Sequence, residues 1–289
     1  LRSHSAWATR VATSRRGAVC VSKTDWPQGL SRGLCPSPAG VRSQRAGLSR
    51  LACRSAGGSL TAASPLTLHL YDHCPYCTRV ELVLGWQRRP YKRAVYGYAD
   101  VEGPTSLTGR KMLPVIEWVD SVGERHRMGE SVDIIEALEV AHGGERMVKG
   151  KSGRKDLSKW QKRLRQVIHQ LTRPRLLQMP IADFATAEDA NYQRKKYVDR
   201  GFDYEQALAN TAILIPQVES ILADLEPLLQ GEGQRTLNEG GWSWDDLHTL
   251  PSLRLLTCVA GLRWPSTTSR YMTEAFDAAG VSLYLEHAC

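Results

Sequence analysis

From residue 66 onward the apolar positions fall into two kinds of period. Leu66, Leu68 and Leu70 alternate with Thr67, His69 and Tyr71, which is the period of a strand with one buried face. Pro75 then stands where the first turn of a helix tolerates proline, and Val80, Val83, Leu84 and Trp86 continue at helical spacing. Tyr91 to Tyr96 reads as a second strand, and a polar stretch around Gly103-Pro104 leads into a small helix. Val115 to Val119 reads as a third strand, entered through Pro114, and a short fourth strand runs through His126 to Met128. Ser131 to Val140 is an amphipathic helix. The order β-α-β-α-β-β-α predicts a thioredoxin-like α/β domain over 65–141, built on a four-stranded mixed sheet.

A polar linker with four glycines follows over 142–156, and beyond it the pattern is helical. Trp160, Leu164, Ile168 and Leu171 recur at helical spacing, and Leu208 to Leu229 and Asp245 to Val259 read as two further helices around a Gly-rich loop at 230–244. The expected layout is α/β plus all-α, with a helical domain over 157–289. Trp242 and Trp244, in the loop, read as interface residues, and Cys258, inside an apolar run, as a small buried residue.

Composition changes this picture mainly at the N-terminus. The 289 residues are 42% hydrophobic and 24% charged, as in a globular protein with a sizeable core. An apolar run of about 18 residues, long enough to span a membrane as a helix, is absent from the sequence. The net charge of +8 is uneven: residues 1–64 hold ten of the 38 basic residues and one of the 30 acidic ones. The remainder is close to neutral, which argues against a nucleic-acid surface. Residues 1–64 are rich in Ser, Arg, Ala and Gly and lack a secretory apolar centre. They read as a disordered organelle transit peptide, for a plastid by length and serine content and for a mitochondrion as the alternative. A plain disordered tail or translated upstream sequence is the competing reading. The first methionine is Met112, so the natural start is expected before Leu1.

Seven cysteines at irregular spacing do not form a disulfide scaffold; they fit a reducing compartment with a few functional thiols. The informative pair is Cys74-Pro75-Tyr76-Cys77, after the first strand and at the opening of a helix. Free N–H groups and the helix dipole there stabilise an anion, so a thiol ionises more readily, and the thiolate is the nucleophile. Cys74, at the helix start, is expected to attack. Cys77, about one turn in, is expected to be more buried, less acidic and to resolve. Arg79 lies just beyond and either adds positive charge near the sulfur or is a solvated helix residue. Structural zinc would need more ligands than this pair and the neighbouring His73 supply. An iron–sulfur cluster shared between two chains is a further reading, against which the stiffening Pro75 argues.

The segment Leu70-Tyr71-Asp72-His73-Cys74-Pro75-Tyr76-Cys77 resembles the active-site segment of the bacterial glutaredoxin 2 type, glutaredoxins with a glutathione-transferase-like helical domain. The likeness continues through Gly109 to Val115 and Gly129 to Ile134, and resumes at Leu250 to Arg254 and Val259 to Ser266. It implies a glutathione-dependent thiol–disulfide oxidoreductase, with glutathione as cosubstrate and no bound metal or prosthetic group. It also implies glutathionylated or disulfide-bonded proteins as partners. By this resemblance Pro114 is a cis-proline that turns the Leu113 backbone toward the glutathione cysteinyl segment. Glu130 and Ser131 hold its γ-glutamyl end, and Pro75, Tyr76 and Arg79 line the same site. Ser131 also reads as a simple N-cap. Trp264-Pro265 is expected to pack the domains together. A glutathione transferase on the same fold, and a module that holds a cluster or docks partners, are the rival readings. The near-neutral body and two-domain core fit a monomer.

Overall fold

Strand β1 (Leu66–Leu70) is hydrogen-bonded on both sides, to β2 (Lys92–Val95) in parallel and to β3 (Val115–Val119) antiparallel, and β4 (Arg125–Gly129) pairs antiparallel with β3. The sheet order is β2-β1-β3-β4. This central position explains why β1 buries Leu66, Leu68, Leu70 and also His69, more than simple alternation predicts. In the register of β1 with β3, Leu68 lies opposite Ile116 and His69 opposite Val115. The computed structural model describes residues 58–289 apart from 232 and 234. Of the leader read over 1–64, residues 1–57 therefore lie outside the described residues.

Helix α1 (Pro75–Trp86) starts at its proline and packs on α3 (Ser131–His142). The small helix α2 (Glu102–Thr108) ends at Gly109, whose left-handed backbone (φ +78°) suits glycine. Gly103-Pro104 falls in the first turn of α2 rather than ahead of it, a correction that proline's tolerance at a helix start explains.

Order begins earlier than residue 66. The backbone at Gly58 accepts from Trp118 Nε1 (3.3 Å) and donates to His126 Nε2 (3.1 Å), and Leu60 packs on the core. Gly58, within the span read as leader, thus lies against the β3–β4 hairpin. The 142–156 segment is also more than a polar linker. Val148 is buried, the N–H groups of Met147 and Val148 donate to Glu139, and Lys149 forms a parallel bridge with Ser243.

The helical part opens with α4 (Lys155–Leu176), which buries Trp160, Leu164, Ile168 and Leu171 as their spacing requires. A 3₁₀ turn (Ala182–Phe184) leads to α5 (Ala187–Val198). The expected single helix over 208–229 is instead α6 (Tyr204–Ala209), α7 (Thr211–Ala223) and a 3₁₀ turn at Glu226–Leu228. Pro227 lacks an N–H and disfavours α geometry in the residue before it, so the chain tightens there. Helix α8 (Trp244–Leu256) begins with a capping box: Ser243 Oγ accepts from the Asp246 N–H, and the Asp246 carboxylate accepts from the Ser243 N–H. Helix α9 (Ser266–Ala279) buries Thr268, Tyr271, Met272, Ala275 and Phe276.

The two parts share one continuous core. Helix α1 packs on α8 and α9 as well as on α3. Trp86 of α1 donates from Nε1 to the Ala275 carbonyl (3.0 Å), and its ring stacks on Trp242 with centroids 4.4 Å apart and planes 4° apart. The loop tryptophan is therefore an interface residue, as its sequence context implies, and Trp264 packs against the same core. Cys258 is fully buried, and burial pushes its thiol up to about 12.

Candidate active site

Cys74 occupies the N-cap of α1 with extended backbone (φ −75°, ψ 121°), and Cys77 lies in the first turn. Proline between them is already in helical φ and has no N–H to waste at a helix start. The two thiols face different surroundings. Cys74 is half-buried, whereas Cys77 is fully buried. The Cys74 thiol is pulled down to about 7, first by a hydrogen bond with Cys77, then by the positive charge of His73 and by the backbone N–H groups of Cys77 and Tyr76, against the opposing effect of burial. Burial, with the neighbouring Cys74, pushes the Cys77 thiol well above its ordinary value. Their mutual hydrogen bond, His73, the helix start and unequal burial together set two identical side chains apart.

Leu113 and Pro114 are joined by a cis peptide bond. The Leu113 N–H and C=O have no hydrogen-bond partner among the described residues, and β3 begins only at Val115. Glu130 has positive φ (+65°), uncommon for a residue with a Cβ, and is the N-cap of α3. Ser131 is the first residue inside that helix, not its cap; the cap falls one residue earlier because Glu130 makes the turn. The first N–H groups of α3 are left without intrahelical partners.

Tyr76 is exposed and Arg79 half-buried. Arg79 is not a solvated helix residue: Nε donates to the Leu247 carbonyl of α8 at 3.0 Å, and its guanidinium stands 4.8 Å from the centre of the Tyr76 ring.

The structure adds residues that the sequence reading left aside. Asp183, in the 3₁₀ turn of the helical part, is completely buried and accepts from the N–H groups of Asp72 and His73 (both 2.8 Å) and from His73 Nδ1 (2.6 Å). Phe184 lies against the His73 ring at 4.9 Å. His73, which the sequence reading weighed only as a metal ligand, is therefore locked beside Cys74. Asp72 is held by Arg254 of α8, by Arg93 and by Tyr284. Burial alone would raise the Asp72 carboxyl, but these partners hold it below the usual range. Tyr98 links the site to α5: Lys196 Nζ donates to its hydroxyl (2.5 Å) and Lys111 Nζ to its carbonyl (2.7 Å).

Helix α5 has its own reason for escaping a hydrophobic reading, because the side chains it buries are polar, Asp189 and Gln193. Asp189 accepts from the Ala99 N–H at 2.8 Å. Its sequence signal was the cap: Thr186 Oγ1 accepts from the Asp189 N–H, the Thr-x-x-Asp spacing of a helix start. For metals, Asp120, Glu124 and His126 bring three donors together in the β3–β4 turn. There Asp120 already accepts from the Val122 and Glu124 N–H groups and meets His126 Nε2 at 2.8 Å.

Fold and site together define a two-domain protein of the thioredoxin-fold class, with a dithiol at a helix start and a helical domain reaching into the loop before it. Residues 156–288 match the family model described as glutaredoxin 2, C-terminal domain, and residues 68–146 match that of the glutathione S-transferase N-terminal domain. Glutaredoxin 2 of Escherichia coli K12 is 29% identical over 206 residues, covering 71% of this chain and 92% of that protein. The crystal structure of glutaredoxin 2 from Salmonella typhimurium, in complex with glutathione, superposes with a TM-score of 0.71 at 26% identity, covering 78% of this chain and all of that one. FzlA from C. crescentus shares the fold, with a TM-score of 0.50 at 18% identity over 78% of this chain and 95% of its own. Both in sequence and in fold the chain is thus similar to glutaredoxin 2 across the α/β and the helical parts.

Proposed function

We propose that the protein is a glutathione-dependent thiol–disulfide oxidoreductase, which reduces mixed disulfides between proteins and glutathione, and protein disulfides. The observation that carries this is the asymmetry of the pair, an N-cap Cys74 pulled down to about 7 above a buried Cys77 pushed up. The similarity to glutaredoxin 2 supports the same reading.

Cys74 thiolate attacks the glutathionyl sulfur of the mixed disulfide. A Cys74–glutathione disulfide forms, the target's sulfur leaves with the electron pair and takes a proton. A second glutathione thiolate then attacks the glutathionyl sulfur, glutathione disulfide departs, and Cys74 returns as thiolate. With a protein disulfide, Cys74 thiolate first attacks one target sulfur, forming a Cys74–target disulfide while the other target sulfur leaves and takes a proton; Cys77 then loses its proton and attacks Cys74 Sγ. This releases the second target thiol and leaves Cys74–Cys77 oxidised, to be reduced by two glutathiones.

The unpartnered N–H and C=O of Leu113 suit pairing with the extended cysteinyl residue of glutathione. The free N–H groups at the start of α3, beside Glu130 and Ser131, suit the γ-glutamyl carboxylate. Pro75, Tyr76 and Arg79 flank the sulfur. The acid-poor, Ser-rich leader supports an organelle address, a plastid before a mitochondrion; residues 1–64 fused to a fluorescent reporter would read it.

The deciding experiment is glutathione-dependent reduction of a small glutathionyl mixed disulfide by the full chain, Cys74→Ser and Cys77→Ser. Cys74→Ser should fall to background. Cys77→Ser should keep activity on the mixed disulfide and lose it on a protein disulfide. An inactive wild-type chain with fully reduced thiols would overturn the proposal and return attention to a transferase.

A further inference from the structure

Asp183 is the feature outside the thiol pair that lies closest to the chemistry. It comes from the helical domain, is completely buried, and directs both carboxylate oxygens at the two residues before Cys74. A buried carboxylate needs such partners, because an unpaired one is costly. Here the partners are two backbone N–H groups and one imidazole nitrogen. The same residue's carbonyl accepts from the Tyr98 N–H at 2.8 Å, and the Tyr98 ring meets His73 edge-on at 5.1 Å. Phe184 packs against the imidazole at 4.9 Å and against the Tyr98 ring at 5.6 Å, so the three rings form one cluster. The ring of His73 is thereby fixed in direction, with Nδ1 committed to Asp183 and Nε2 left for the rest of the site.

We infer that Asp183 is a positioning residue for Cys74: by gripping the Asp72–His73 backbone and the His73 ring, it sets where the imidazole stands relative to the attacking sulfur, and so how readily that thiol ionises. The helical domain then takes part in activating the thiol in addition to covering the sheet. The inference rests on Cys74 being the attacking thiol, as proposed above. It is supported by the positive charge of His73 being among the causes that lower the Cys74 thiol.

The other ionisable groups around the pair include Tyr71 (ring 6.2 Å from His73), Tyr98, Cys77, Arg79 on α1, Asp72 with its partners Arg254 and Tyr284, and Lys111 and Lys196 through their bonds to Tyr98. Burial raises Tyr71, Tyr98 and Cys77 well above neutral pH, so they do not titrate there. Lys196, which burial pulls down to about 8, does titrate close by, so the measurement is made in a Lys196→Gln background as well.

The test is the rate of alkylation of Cys74 by iodoacetamide against pH, read by mass spectrometry of the Cys74 peptide in the full chain. This readout needs no glutathione, so it can fail while the oxidoreductase assay succeeds, and the reverse. Asp183→Asn should move the midpoint upward; a rise of one unit lowers the rate about tenfold well below the midpoint. The plateau at high pH should be unchanged. His73→Phe, which keeps the aromatic packing and deletes Nδ1, should move the midpoint in the same direction, and the double variant no further than the larger single one. An unmoved midpoint in a folded Asp183→Asn overturns the inference, as does a lowered plateau at the same midpoint. If Asp183→Asn does not fold, an unmoved midpoint in His73→Phe overturns it.

Discussion

Arg254 reaches across from α8 to Asp72: Nη1 donates to the Asp72 carbonyl at 2.6 Å and Nη2 lies 3.2 Å from Oδ2 of the carboxylate. The guanidinium is almost wholly buried and also stands 4.3 Å from the centre of the Tyr284 ring, whose hydroxyl donates to the same carboxylate. Two residues before Cys74, the reactive loop is thus tied to the helical domain by charge as well as by packing.

Arg254→Met should therefore be strongly destabilising. Removing one partner of a buried ion pair typically costs about 3–5 kcal/mol, because the other charge is left behind. Asp72 keeps some solvent and Arg93, which puts the expected loss at the lower end of that range. Arg254→Lys should recover only part of it, since an ammonium cannot reproduce the fork on both carbonyl and carboxylate. Urea unfolding of the three proteins checks both statements; wild-type stability in Arg254→Met would show that the pair contributes little.

The second prediction concerns acidity. Cys77 contributes the leading effect that draws the Cys74 thiol down to about 7. Cys77→Ala should move the Cys74 alkylation midpoint upward, toward the ordinary thiol value of about 8.5. The shift should persist at high salt, since the cause is a short-range hydrogen bond rather than a surface charge. A midpoint that stays near 7 would mean that His73 and the helix start suffice.

The third concerns packing. Gly85 lies in α1 where a Cβ would come 2.0 Å from the Ala279 carbonyl oxygen at the end of α9. Alanine is the better helix former by about 1 kcal/mol. Here backbone meets backbone, so the clash cannot be relieved by a side-chain rotation, and forcing helices apart costs typically about 1–3 kcal/mol. The clash should win, and Gly85→Ala should lower the melting temperature. A stabilised variant would show that α9 can shift without cost.

How much of this was legible beforehand varies from element to element. The Cys74 motif could be read because its chemistry is local: a strand, a proline and a helix start lie within a dozen residues. Strands β1 and β3 and helix α4 were legible because apolar side chains repeat at the period of their own backbone. Helix α9 carries the same kind of repeat, in Thr268, Tyr271, Met272, Ala275 and Phe276, and was open to the same reading. Helix α5 was hidden because it docks through Asp189 and Gln193, and polar anchors leave no hydrophobic period.

From sequence alone came the dithiol, the expectation that Cys74 attacks and Cys77 resolves, the α/β-then-helical layout and the resemblance to the glutaredoxin 2 type. Only the tertiary structure decided that Asp183 grips His73, that Arg254 and Tyr284 hold Asp72, that Arg79 bonds to α8, and that the nominal linker is stitched to the 230–244 loop. The physical reason is the range of the interactions. Helix-start electrostatics and side-chain periodicity act between near neighbours in the chain, whereas Asp183 and His73 are 110 residues apart and Arg254 and Asp72 are 182 apart. Such pairs exist only once the helical domain has folded against the sheet.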